Sequence, residues 1–178
     1  MATPVIAFVQ LASECEAEGL TPQNSDRIAA EIAKTFSLHA DEVAILKMER
    51  GNLRFVYPSK LQAVGSLPLN TSSSVAARTA NTKRAEAINN FAQTKHASVF
   101  ESVGLEAKKS QDLMHKEDKQ AHIIQKLMTV PVVTPAGVQG VLQVCRKGKP
   151  APEAGADFTP ADLQRLAAIA NSLIKCFK

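Results

Sequence analysis

The chain has no tryptophan, one tyrosine, and aromatic residues at only 4% of 178 positions. That scarcity argues against a stacking platform for nucleic-acid bases, which needs several exposed rings. No apolar run approaches the roughly 20 residues that span a bilayer. The opening MATPVIAFVQLASECEAEGL has no basic segment before its apolar stretch and soon turns acidic. It does not read as a secretory signal, and a cytoplasmic location is expected. The three cysteines, Cys15, Cys145 and Cys176, stand far apart, without a C-x-x-C pair or a Cys/His group at zinc spacing. Reduced structural thiols are expected, and no metal site. Walker, Rossmann, H-E-x-x-H and G-x-S-x-G patterns are missing, and no carboxylates are placed for acid–base work. No catalytic residue is assigned on these grounds, and a non-enzyme is expected.

What is present suits one folded domain: 45% hydrophobic residues, 21% charged residues and a formal net charge of +4. Lys and Arg are scattered rather than clustered, so the basic balance reads as solvated surface. Neither nucleic acid nor membrane is an expected partner.

Along the chain, Phe8, Val9 and Ala12 follow Val5 at helical spacing, and Gly19 is a natural stop. Thr21-Pro22 restarts the chain as a cap and first turn. Ile28, Ala29, Ile32, Ala33 and Phe36 make the stripe of a second helix. This helix pair offers an exposed face on which a second copy could dock. In DEVAILKMERGNLRFVYPS, Val43 and Ile45 alternate with Ala44, Leu46 and Met48, and Arg50-Gly51-Asn52 turns a hairpin that returns over Leu53 to Tyr57. A short strand follows at Ser66 to Leu69. A Ser-capped helix in SSSVAARTANTKR stops near Asn81, and another strand covers 85–89. A helix is predicted from about Thr94 to Glu101, followed by a charged, solvent-facing segment.

TVPVVTPAGVQGVLQVCRKGK, residues 129–149, is a second hairpin turning at Pro135-Ala136-Gly137. Strict alternation puts Val138, Gly140, Leu142 and Val144 on one face and Gln139, Val141, Gln143 and Cys145 on the other. A strand apolar on both faces is central and covered twice. Thr159-Pro160-Ala161-Asp162 opens a last helix. Its stripe of Leu163, Leu166, Ala167, Ala170, Leu173, Ile174 and Phe177 continues to the chain end, with Ile169 and Cys176 beside it. Antiparallel strands with helices at both ends define an α+β sheet covered by terminal helices.

DEVAIL, LPLNTSSSVAARTANTKRAEAINN, VPVVTPAGVQGVLQV and FTPADLQRLAAIANSL, in that order and spacing, resemble a GAF domain over roughly residues 24–176. The resemblance implies one domain over 1–178, with 1–23 as a helical extension and 24–176 as the core. It implies a six-stranded antiparallel sheet, the N- and C-terminal helices together on one face, and short helices and loops forming a ligand pocket on the other. GAF domains are sensory modules that bind small molecules, and many dimerise through their terminal helices. The expectation is a non-catalytic sensor of an unidentified small molecule, with a homodimer formed through those helices. The alternative is an interaction module with a vestigial pocket.

The resemblance places Tyr57, Leu67, Leu69, Phe91 and Phe100 as apolar lining. Ser72, Ser73, Ser74, Asn89, Asn90 and His96 are the polar contacts, and Gln143 projects from the central strand toward the same side. The cyclic-nucleotide subclass is echoed by Asn81, Lys83 and Phe91, but Lys95-His96 stands where its acidic pair belongs. Bilin attachment lacks a cysteine between Leu53 and Val144, and haem would have only His96. No cofactor is named. The free methionine sulfoxide reductases of this family need a nucleophilic and a resolving cysteine. Here only Cys145, beside Arg146 and Lys147, is a remote candidate, its pKa open to lowering by those cations.

Overall fold

Local capping sets the helix limits. The computed structural model describes residues 3–70, 74–93, 123–148 and 151–178. Helix α1 (Thr3–Cys15) ends where the Gly19 N–H donates to the Cys15 carbonyl at 2.8 Å, with Gly19 at a positive φ. Helix α2 (Pro22–Phe36) begins at Thr21, whose hydroxyl accepts the Asn24 N–H at 3.1 Å, and ends at a left-handed Ser37. Eight residues form α3 (Val75–Thr82) behind the cap Ser74, and α4 spans Pro160–Ser172. A reciprocal capping box opens α4: Thr159 Oγ1 accepts from the Asp162 N–H at 3.1 Å, and Asp162 Oδ2 accepts from the Thr159 N–H at 2.9 Å.

The strands are β1 (Val43–Glu49), β2 (Asn52–Tyr57), β3 (Ser66–Pro68), β4 (Glu86–Ile88), β5 (Ile124–Thr134) and β6 (Gly137–Lys147). They form one antiparallel sheet in the order β3-β2-β1-β6-β5-β4. The expected α+β architecture is therefore the observed one. Its edges are three-residue strands, a length that limits pairing with another chain.

Helices α1, α2 and α4 lie on one face. Phe8, Leu11, Ile28, Ile32, Leu166, Ile169 and Leu173 pack there against Val43, Ile45, Met128, Val130, Leu142 and Val144. Each such fully buried aliphatic side chain contributes about 2 kcal/mol of transfer free energy. On the opposite face, Ala44, Leu46, Leu53, Phe55, Val141 and Cys145 meet α3 residues Val75, Ala76 and Ala80, with Leu61 and Phe91.

The sheet has three register shifts, one of them at Ile124/Lys126 at the start of β5, and the other two break the alternation read from the sequence. In β1–β2, Ile45 pairs with Tyr57 but Leu46 with Phe55, so Val56 is an extra residue. In β5–β6, Val132 pairs with Gly140 but Val133 with Val138, so Gln139 is extra. One inserted residue reverses the side-chain parity beyond it. Val138, expected beside Leu142 and Val144, packs instead with the α3-side cluster. The last helix also ends sooner than its stripe: α4 stops at Ser172, and a 3-10 turn over Ile174–Cys176 delivers Phe177 onto the sheet. Its ring lies over Gly140, where a Cβ would overlap the Phe177 ring and the Leu46 carbonyl. The predicted helix at Thr94 to Glu101 lies outside the described residues.

Candidate functional site

The face opposite the terminal helices holds the candidate site. Its centre is polar, although the strands around it are apolar. Thr129 of β5 and Gln143 of β6 are cross-strand partners, and Thr79 of α3 sits against them. All three are buried, Gln143 with 5% of its surface exposed and the two threonines with none. Thr79 Oγ1 donates to the Val75 carbonyl one turn back at 2.8 Å. The two threonine hydroxyls are 2.9 Å apart, and Gln143 Nε2 donates to Thr129 Oγ1 at 3.4 Å. Around this chain lie Ala44, Leu46, Val141, Cys145, Leu127 and Phe91, with Leu69 partly buried against them.

Of the residues proposed from sequence, the fold brings Leu67, Leu69, Phe91 and Gln143 to this face. Phe91 is 2% exposed and is part of the packed cluster. Asn89 has its amide committed, donating from Nδ2 to the Phe158 carbonyl at 3.1 Å and accepting the Phe158 N–H at 2.8 Å. That double contact ties the end of β4 to the start of α4. Tyr57 is a correction. Alternation with Leu53 and Phe55 would put it on the pocket face, but the bulge at Val56 turns it against the helix-side cluster, and its hydroxyl donates to the Ala40 carbonyl at 2.9 Å. Burial pushes its phenol pKa up. Ser73, His96 and Phe100 lie outside the described residues.

Thr79 and Thr129 escaped the sequence reading. Their signal was present: each is a lone hydroxyl residue, one in VAARTA and one in LMTVPVV. A Thr inside an apolar pattern is either exposed or engaged in a buried hydrogen bond.

Cys145 is fully buried in the α3-side cluster. The cations expected to acidify it are engaged elsewhere. The Arg146 guanidinium lies 4.8 Å from the Phe158 ring centroid and donates to the Phe36 carbonyl at 3.3 Å. Lys147 Nζ donates to the Asp41 carbonyl at 2.9 Å. Cys15 and Cys176 belong to the helix-side cluster, across the sheet from Cys145. Burial raises the pKa of both, that of Cys176 to about 11. Among the described residues no group of His, Cys, Asp and Glu could hold a metal ion.

The outer side of the helix layer carries an open cleft of about 460 Å³ between α1 and α2. Ala7, Leu11 and Ala30 form its apolar part, and the Glu14–Arg27 ion pair crosses it.

By sequence the chain matches no family model and no curated protein. By structure it is similar to the GAF domain of an Acinetobacter phosphoenolpyruvate-protein phosphotransferase. The TM-score is 0.64 at 14% identity, covering 99% of this chain and 94% of that one. The corresponding domain from Coxiella burnetii gives 0.62 at 9% identity, covering 97% and 92%. Free methionine-R-sulfoxide reductase from Neisseria meningitidis, solved with its substrate, gives 0.58 at 13% identity, covering 96% and 85%. The chain thus has the GAF-like fold that the order of its motifs suggested. Among the described residues no helix is long and apolar enough to cross a membrane.

Proposed function

We propose that the protein is a non-catalytic, cytoplasmic sensory module that binds a small molecule on the α3-covered face of the sheet. The observation that carries this reading is the Thr79–Thr129–Gln143 chain, a polar group set into an apolar surface. Small-molecule sites take this form, with apolar walls and a few placed polar atoms. Relay to the helices has a short route. Gln143 lies between Leu142 and Val144, which pack under the helices, and Asn89 grips the backbone at the start of α4. A ligand that binds one arrangement of these contacts more tightly shifts the helices toward it. Native mass spectrometry of freshly purified protein tests the reading: an adduct is expected that is lost on denaturation and reduced in Gln143→Leu. A Gln143→Leu protein that keeps its full adduct would move the site off this face.

The free methionine-R-sulfoxide reductases share the fold, so Cys145 needs its own test. Its burial and the position of the other two thiols beyond the sheet support a structural role. Methionine sulfoxide reduction that disappears in Cys145→Ser would overturn that assignment.

A second reading, self-association through the terminal helices, is favoured by Ile6 and Val9 on α1, which are 63% and 51% exposed. Large apolar side chains exposed side by side are candidates for burial against a partner. Sedimentation should show a dimer that Val9→Glu weakens; a wild-type monomer at high concentration sinks this reading.

A further inference from the structure

Two of the three thiols, both free, meet at one contact on the helix side of the sheet. Cys15 continues the buried face of α1 after Phe8, Leu11 and Ala12. Beyond α4 the 3-10 turn Ile174–Cys176 folds back against that face. There the Cys176 thiol donates to the Ala12 carbonyl at 3.8 Å. Ala12 and Cys15 are neighbours on α1, one turn apart, with Cβ atoms about 5–6 Å from each other. Two further contacts hold the turn over Cys15 itself. Lys175 Nζ lies 3.5 Å from Glu16 Oε2. Gly19, whose N–H donates to the Cys15 carbonyl, sits so close that a Cβ on it would come 3.3 Å from the Cys176 carbonyl oxygen. The two thiols also feel each other: the Cys176 pKa is raised first by burial and next by Cys15. Cys145 stands apart from them, in the cluster across the sheet.

In the closed protein both side chains are fully buried. They are neutral and unreactive there, since the thiolate is the nucleophile. The polar ties across the contact are slight. The Cys176 S–H is a weak donor. The Lys175–Glu16 pair is exposed, at 63% and 41%, and pairs of that kind add little. Local opening between the last turn of α1 and the 3-10 turn exposes the sulfurs while the sheet stays intact. A disulfide needs Cβ atoms about 4 Å apart. Sliding the turn along α1, from Ala12 toward Cys15, supplies that approach.

We propose that Cys15 and Cys176 are a redox pair, oxidised by a low-molecular-weight disulfide to an intramolecular bond that locks α1 to the turn after α4. On opening, one thiol gives its proton to water, and the thiolate attacks a sulfur of the small disulfide. The small S–S bond breaks, one small thiolate leaves, and a mixed disulfide remains on the protein. The second protein thiol gives up its proton, and its thiolate attacks the protein-bound sulfur. The Cys15–Cys176 bond forms and the second small thiolate leaves. The two released thiolates take up the two protons. The protein is thereby oxidised by two electrons, and the small disulfide is reduced to two thiols. The bond joins two parts of the helix layer, so it acts on the terminal helices whether or not the sheet face binds a ligand.

The test exposes the intact, folded protein to oxidised glutathione, followed by peptide mapping without reductant and by amide hydrogen exchange. A peptide linking Cys15 to Cys176 is expected, lighter by two hydrogens and cleaved again by dithiothreitol. Cys145→Ser should form it as readily as the wild type, and Cys176→Ser should stop at glutathione bound to Cys15. Exchange over the last turn of α1 should slow in the linked protein and recover on reduction. The wild-type map decides the pairing even where a variant fails to fold. Glutathione carried singly on these cysteines in the wild type, or a link from either one to Cys145, would overturn the pairing. So would a protein that stays reduced when folded and oxidises only in urea. A linked protein with unchanged exchange over α1 would overturn the lock.

Discussion

The two faces of the sheet are built from the same strands and serve different ends. On the helix side, α2 and α4 press apolar stripes onto the sheet over Val43, Ile45, Leu142 and Val144, and α1 packs against both helices. On the other, the eight-residue α3 and short 3-10 turns cover a surface whose centre is a hydrogen-bonded chain of Thr and Gln. A side chain removed from the first face leaves a void in dense packing. The second face trades some packing for placed polar atoms, which are useful for recognition and costly if left without partners. One strand, β6, supplies both, its alternate residues looking in opposite directions.

The contrast can be broken most severely from the helix side. Leu142→Ala should cost about 3 kcal/mol in urea denaturation, by loss of transfer energy and creation of a cavity. Gly140→Ala is expected next, at about 2 kcal/mol, because its Cβ meets the Leu46 backbone carbonyl as well as the Phe177 ring. Truncating the ring in Gly140→Ala/Phe177→Ala should recover only part of the loss, since the carbonyl cannot withdraw. On the other face, Thr129→Val should cost about 1–2 kcal/mol, leaving a Gln143 N–H without its acceptor. A cost matching that of Leu142→Ala would mean the two faces do not differ as described.

The smallest effect is one of pH. The Cys176 thiol has its pKa raised by burial from an ordinary 9.0 to about 11. A raised folded pKa means that the neutral thiol is favoured in the folded protein. Stability is then unaffected below about pH 9 and falls as pH climbs toward 11. Cys15 and Tyr57, raised in the same direction, add to the alkaline fall. Cys176→Ala should flatten part of it in denaturation curves recorded from pH 8 to 11. Unchanged curves would show that this thiol is not the titrating group.

The helix side was the more legible face, for a physical reason. Its boundaries are local: Thr21-Pro22 and Thr159-Pro160-Ala161-Asp162 declare caps through contacts three residues apart, and the stripes between them follow one period. The alternation of Val43 to Leu46 likewise sorted the two faces of β1 correctly. What failed to read was parity after a bulge. Nothing in RFVY or GVQG announces that Val56 and Gln139 are extra, because a bulge is set by the partner strand and not by the residue itself. Val138 was placed on the wrong face for that reason, and the Val56 bulge likewise turns Tyr57 away from the pocket in which the resemblance had placed it. The Thr79–Thr129 contact joins residues 50 apart, and it depends on α3 crossing β5 at one point, which no local pattern encodes.

The sheet's central seam has a consequence for how the protein assembles. The β1–β2 and β5–β6 hairpins are each closed by a short turn, but β1 meets β6 across roughly a hundred intervening residues, pairing Val43 with Val144. Closing so long a loop is entropically unfavourable before any contact rewards it. Until it closes, α1, α2 and the first hairpin hold half of the helix-side core, and the second hairpin with α4 holds the rest. The two halves are joined along β1–β6, by α1 on α4 and by α3 on β5 and β6, so most of the contacts between them wait on closing that long loop.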